Sequence, residues 1–278
     1  MSDIVKIAAV QMNPVIKEKG GNLQTILNKL HEAAANKARL VVFPECALTG
    51  YVYASRDAAL TYTETIPGQS TEKIAEVCKE LGVYGVIGLL ERDGEKCYNA
   101  LVLVGPEGII GKYRKIHLPF LGIDRFLDKG NNQIQVFPTS VGNIGMHICY
   151  DCNFPELPRV MTLLGADILV LSTNWPEGRD KVAKYVVVTR AFENKVHFVV
   201  SNRVGMEQGT KFIGMSKIIN AWGDTLVEAS RDNEEIIYGE VRLSDAREKR
   251  VVLKPGEFEY SFTGDRRPEF YNRVCKND

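Results

Sequence analysis

Several features that would mark a chain for a particular trade are missing from this one. Neither charge dominates: 35 Lys and Arg face 35 Asp and Glu. There is no basic stripe interleaved with aromatics, so nothing here suits a nucleic acid. Long apolar runs are absent as well. Segments such as ADILVL (166–171) and VHFVV (196–200) fall far short of the roughly 20 residues that cross a bilayer, so no membrane span is expected. MSDIVKIAAVQMNP at the start lacks a basic region followed by an apolar core, which argues against a signal peptide and for a cytoplasmic protein. No Pro/Ser/Gly linker, low-complexity tract or block of like charge breaks the chain, and a single domain over residues 1–278 is expected. Histidine is scarce: the four residues His31, His117, His147 and His197 are scattered. Without a second C-x-x-C or an H-x₃₋₅-H, no metal or other cofactor is expected.

What is present draws attention to ICYDCNFPE, where Cys149 and Cys152 stand in C-x-x-C spacing. With no signal peptide, and a chain large enough to build its own core, a reducing compartment is expected for all six cysteines. A redox dithiol is disfavoured because the pair comes late in the chain and Asp151 lies inside it, an anion that opposes thiolate formation. Burial as a small apolar residue suits Cys152. Cys149 is different. It ends an apolar strand, VGNIGMHIC, and a helix NFPELPRVMTLLG follows, with Asn153 and Glu156 spaced as a capping pair. A strand-to-helix elbow exposes a side chain at the sheet edge, where the helix N-terminus favours a thiolate nucleophile.

Such a nucleophile needs a base. His147 is two residues away on the same strand, roughly 6.6 Å along the backbone, an awkward geometry for direct proton transfer. Other polar groups at strand ends are Glu45, which follows LVVF and Pro44, and Lys115, in GKYRKIHLP. Taken singly, each reads as an ordinary exposed charge.

Strand-like and helix-like segments alternate along the chain. VKIAAVQM, RLVVF, ADILVLS and VHFVVSNR read as buried strands. NLQTILNKLHEAAANKA, with Asn22 as N-cap, STEKIAEVCKELG, closed by Gly82, and RDKVAKYVVVTRAFENK read as helices. A meander runs from YGVIGLLER through Asp93-Gly94 to IIGKYRKIHL. FIGMSKIIN and DTLVEAS pair across the turn Trp222-Gly223-Asp224, EEIIYGEVRL is a last long strand, and the tail from Val251 is expected to be irregular. Parallel units with inserted hairpins give an α/β class with mixed sheets. The segments ending ARLVVFPE and ADILVLSTNWPE resemble one another and suggest an internal two-fold.

Three stretches taken together resemble the nitrilase, or carbon–nitrogen hydrolase, superfamily. VVFPECALTGY is similar to its glutamate motif, YRKIHLP to its lysine motif and GMHICYDCNFPEL to its cysteine motif, in that order. TNWP, RAFENKVHFVVSNRVG, FIGMSKI and DRRPEFY extend the resemblance over nearly the whole chain. It implies a four-layer α-β-β-α sandwich and hydrolysis of a small amide-type substrate. Cys149 would be the nucleophile, Glu45 the acid/base and Lys115 the oxyanion partner, helped by the backbone N–H of Tyr150. It also implies a homodimer, with the DRRPEFY segment reaching across the interface. One departure concerns a second glutamate that many members carry after the lysine. Here the nearest acid is Asp124, in LPFLGIDRF, which either takes that role or is an ordinary loop residue. Asn174 and Trp175 are placed to line the pocket mouth, although the tryptophan equally suits the core; Tyr51, Tyr53, Phe120 and Arg125 are further candidates. Members that act on nitriles tend to follow the cysteine with Trp-Glu. Tyr150-Asp151 leans instead toward amides or N-carbamoyl compounds.

Overall fold

The computed structural model describes residues 3–276. The chain runs β1 (Ile4–Gln11), α1 (Lys19–Ala35), β2 (Leu40–Val42), a short α2 (Arg56–Leu60) and α3 (Gln69–Leu81). The meander follows as β3 (Tyr84–Asp93), β4 (Lys96–Gly105) and β5 (Gly108–Arg114). Next come β6 (Val136–Thr139), β7 (Gly142–Ile148), α4 (Glu156–Leu163), β8 (Ile168–Thr173), α5 (Val187–Asn194) and β9 (His197–Asn202). Two hairpins, β10 (Met206–Glu207) with β11 (Thr210–Lys211) and β12 (Lys217–Ile219) with β13 (Thr225–Glu228), precede β14 (Glu235–Arg242) and α6 (Leu243–Arg247). A last hairpin pairs β15 (Arg250–Lys254) with β16 (Phe258–Ser261).

Two six-stranded mixed sheets result, ordered β14-β1-β2-β3-β4-β5 and β13-β12-β9-β8-β7-β6. Side-chain alternation along each strand sorts them into layers. Val5, Ile7 and Ala9 of β1, with Leu40, Val42, Val86, Leu101 and Leu103, face the second sheet in one continuous core with Ile144, Met146, Ile168 and Val170. The intervening residues Ala8, Val10, Val41, Ala100 and Val102 pack outward against Ile26, Leu30 and Ala33 of α1 and Ile74 and Cys78 of α3. Leu157 and Met161 of α4 and Val187 and Ala191 of α5 cover the far side of the second sheet. This is the four-layer α-β-β-α sandwich. Hydroxyls stitch the inner faces: Ser172 Oγ donates to Phe43 O and Ser201 Oγ to Val10 O, both at 2.6 Å. The two look-alike segments supply β2 and β8, each an interior parallel strand of its own sheet.

Three local expectations are corrected. Helix α1 starts at Lys19, so Asn22 lies in its first turn; the Asn22 amide instead bridges Val15 N, Val15 O and Leu48 O. Asn153 does not cap α4, which begins after Pro155; the Asn153 side chain accepts from Arg179 Nη2 at 3.0 Å. The tail from Val251 is not irregular throughout, because Pro255-Gly256 turns β15 back onto β16. The long helix expected from Arg179 is found, running without a break over 180–194 with Val182–Val186 wound as a π turn.

Candidate active site

Glu45, Lys115 and Cys149 each sit just past a strand end. β2 stops at Val42, and the chain then turns sharply. Phe43 N–H still bonds Val86 O (2.9 Å) and Leu48 N–H bonds Gly88 O (3.0 Å), which lays the Glu45 turn directly on β3. That approach requires glycine at 88. A Cβ there would lie 2.4 Å from Pro44 O and 2.5 Å from Cys46 N. Lys115 leaves β5 with its N–H on Asn99 O and its carbonyl receiving Gly130 N–H, both at 2.8 Å. The neighbouring cations Lys112 and Arg114 pair with Glu91, whereas Lys115 turns fully inward.

The Lys115 ammonium lies between two buried carboxylates, 2.7 Å from Glu45 Oε1 and 2.6 Å from Asp124 Oδ2. Asn99 Nδ2 donates to the same pair, to Glu45 Oε1 at 2.7 Å and Asp124 Oδ1 at 2.9 Å. Tyr51 OH donates to Asp124 Oδ2 at 2.8 Å. Asp124 is therefore no ordinary loop acid: both its oxygens are committed to holding Lys115, Asn99 and Tyr51. Asn99 was not singled out from sequence. Its signal was a lone amide in the apolar strand CYNALVLV, where a buried polar group needs partners.

Burial pushes the Glu45 carboxyl up, against the opposing pull of Lys115 and with reinforcement from Asp124. Burial alone would lower Lys115, but Asp124 and Glu45 overrule it and hold the ammonium well above its usual range. Glu45 Oε2 is buried and makes no hydrogen bond within the described residues, leaving one oxygen free to exchange a proton.

Cys149 follows β7 at the head of a five-residue 3₁₀ turn, Cys149–Asn153. Its φ of 45° is left-handed, a conformation that costs about 1–3 kcal/mol outside glycine and recurs at functional elbows. The side chain is 6% exposed. Burial and Glu45 drive its thiol up to about 12, while Lys115, Thr173 and the backbone of Asn174 pull the other way. This corrects the expectation of a thiolate stabilised by a following helix, since α4 starts seven residues later and burial dominates. Burial thus favours the protonated thiol, and a nucleophile in that state needs a neighbour to take its proton. Glu45 and Lys115 are both among the charges that act on the Cys149 thiol.

The other candidates separate. Tyr150 is half-buried, its ring edge-on to Phe154 at 5.2 Å. Asn174 is buried beside Cys149, and neither side-chain polar atom has a partner within the described residues. Trp175 is not at a mouth but in the main core. The chain beyond β8 pairs with the 211–213 segment, Ile213 N–H to Trp175 O at 3.0 Å and Glu177 N–H to Lys211 O at 3.0 Å, and this draws the indole inward. Tyr53 is turned away, its hydroxyl on Thr49 O, and Arg125 bonds Gly122 O. Phe120 is 89% exposed. His147 is buried edge-on to Phe198, and desolvation lowers it to about 4, so it stays neutral. Cys152 is fully buried, and its thiol is raised by that burial.

Comparison with known proteins bears on this cluster. Residues 6–251 match the family model described as carbon-nitrogen hydrolase. The chain is 39% identical to a nitrilase of Pyrococcus abyssi, over 97% of this chain and 100% of that one. It is 31% identical to an (R)-stereoselective amidase of a Pseudomonas species, over 95% and 92%. Among solved structures, a carbon-nitrogen hydrolase from Helicobacter pylori superposes with a TM-score of 0.87 at 25% identity, over 99% of each chain.

Proposed function

This chain belongs to the carbon–nitrogen hydrolase family, and on that footing we propose that it hydrolyses a small amide through a thioester on Cys149. The observation that carries the reading is the buried Glu45 Oε2, without a partner among the described residues, beside a lysine ammonium and near a buried thiol.

As Cys149 Sγ attacks the amide carbon, its proton passes to Glu45. The carbonyl oxygen becomes an oxyanion, met by Lys115 Nζ and the N–H of Tyr150. A single donor of this kind is commonly worth ~10²–10³ in kcat. Collapse of the adduct breaks the C–N bond, and Glu45 returns the proton to the leaving ammonia or amine. Glu45 then takes a proton from water, hydroxide adds to the thioester, and the acid departs as the thiol regains its proton. Burial raises the Glu45 carboxyl while Lys115 opposes it, so the two forms that the alternation uses are each favoured by a neighbour. Asp124 fixes the ammonium between the carboxylates, and it stands after the lysine where many members carry a second glutamate that helps position the substrate. The near-closed setting of Cys149 favours a small substrate.

The two relatives compared above are named nitrilase and amidase, and Tyr150-Asp151 favours the amide. Exposed Val160 and Leu163 on α4, Leu164 just past it, Phe192 on α5 and Phe270 and Tyr271 in the tail suit burial against a second copy, so we read the working form as a homodimer. Ammonia release from primary amides, N-carbamoyl amines and amino acids, and nitriles tests the reading. Turnover of amides ahead of the rest is expected. Turnover of nitriles alone would overturn the amide assignment.

A further inference from the structure

The left-handed backbone at Cys149 needs something to hold it, and the proposed chemistry leaves one buried carboxylate beside it unused. Asp151 is fully buried. Its Oδ2 accepts Ile148 N–H at 3.0 Å and Tyr113 O–H at 2.8 Å. Its Oδ1 accepts His117 N–H at 3.1 Å and faces His117 Nδ1 at 2.8 Å. Every donor belongs to a segment that carries a site residue. Ile148 immediately precedes Cys149, and Tyr113 and His117 stand two residues to either side of Lys115. Tyr113 lies on β5 and His117 just past its end, and both reach Asp151. The outer two are tied to Asp151, while Lys115 between them reaches Glu45 and Asp124. The His117 ring is further seated on Phe154, stacked at 3.8 Å and 13°.

We propose that Asp151 is a positioning residue: it binds the Lys115 segment to the Cys149 elbow and thereby fixes where the sulfur stands relative to the ammonium and to Glu45. The inference rests on the roles given above to Cys149 and Lys115. Asp151 touches no reacting atom. It acts through the backbone of Ile148 on one side and through Tyr113 and His117 on the other. As acceptor from Nδ1–H it also holds the His117 ring in one tautomer and orientation. A carboxylate with four donors from two segments is a junction; loss of its charge loosens both at once.

The test uses the full chain with Asp151→Asn, Tyr113→Phe and the double variant. It reads kcat and KM on an amide that the wild type hydrolyses, and the alkylation rate of Cys149 by iodoacetamide, each normalised to folded protein by circular dichroism. Misplacement of reacting groups by about an ångström costs ~10²-fold. Asp151→Asn is therefore expected to lower kcat by about that factor, with KM within about threefold and alkylation slowed in step. Tyr113→Phe keeps the ring and removes one donor to a charged acceptor, for a loss of roughly tenfold. The double variant is expected to be no worse than Asp151→Asn alone, because both break one link. A merely structural carboxylate would lower the unfolding midpoint and leave kcat per folded molecule within about twofold, which overturns the proposal; so does a double-variant loss equal to the product of the single losses. If Asp151→Asn does not fold, Tyr113→Phe decides, and wild-type kcat there overturns the proposal. Failure of the underlying reading shows separately, as activity retained by Cys149→Ala.

Discussion

At Lys115 one ammonium serves two buried carboxylates, and the two acids are not equivalent. Asp124 has both carboxylate oxygens bonded, whereas Glu45 keeps one without a partner among the described residues. Substitutions should therefore separate stability from activity. Lys115→Met leaves Glu45 and Asp124 buried side by side without a counter-charge, a change of the kind that costs about 3–5 kcal/mol. Urea unfolding should record that loss along with turnover. Glu45→Gln keeps an acceptor for Lys115 and Asn99 and leaves the ammonium paired with Asp124. Its urea midpoint should not fall, while kcat drops ~10²-fold or more. Glu45→Gln also isolates the thiol. With Cys149 held high mainly by burial, its alkylation by iodoacetamide in that background should keep rising with pH and show no plateau below about pH 9. A plateau near neutrality would mean a preformed thiolate and would contradict proton transfer to Glu45.

Among the elements, the turn on β3 makes the sharpest demand. Alanine at position 88 would drive a methyl into backbone atoms of Pro44 and Cys46, so the Glu45 turn must lift off its strand. Gly88→Ala should lower kcat at least ~10²-fold, more than its effect on the urea midpoint explains; unchanged kcat would show that the turn's seat on β3 does not matter. Much at this scale was legible in the sequence. Apolar runs located the strands, and Gly82 closed α3 in the left-handed conformation expected of it. Helix starts were less legible, because an asparagine that can cap can equally bridge a loop, as Asn22 does. Of the cluster, Cys149 was singled out by its place at a strand end, whereas Glu45 and Lys115 gained a role only through three motifs taken together, since no local spacing relates positions so far apart. Asn99 and Thr173 escaped notice, and Asp151 was read only as an anion beside the cysteines, because their partners lie in other segments and their roles are tertiary.

Over the molecule as a whole, the sandwich buries most of its thiols. Burial raises Cys78 to about 12, Cys97 to about 11 and Cys149 to about 12. In the unfolded chain a thiol ionises near 8.5. Folded pKa values above the unfolded one mean that the unfolded state sheds protons first as pH rises. The stabilising contribution is thus complete below about pH 8.5 and is lost as pH climbs toward 11–12. The urea midpoint should fall between pH 8 and 10.5, more steeply than in a variant with Cys78 and Cys97 replaced by alanine. The same sandwich sets the ends of β2, β5, β7 and β8 around one site. The claim that this site does covalent chemistry at Cys149 is tested most directly by acid-quenching the enzyme during amide turnover and weighing it. The account predicts an acyl adduct on the peptide containing Cys149, present in Cys152→Ala and absent, with turnover abolished, in Cys149→Ala. An adduct on another residue, or full turnover by Cys149→Ala, would contradict it.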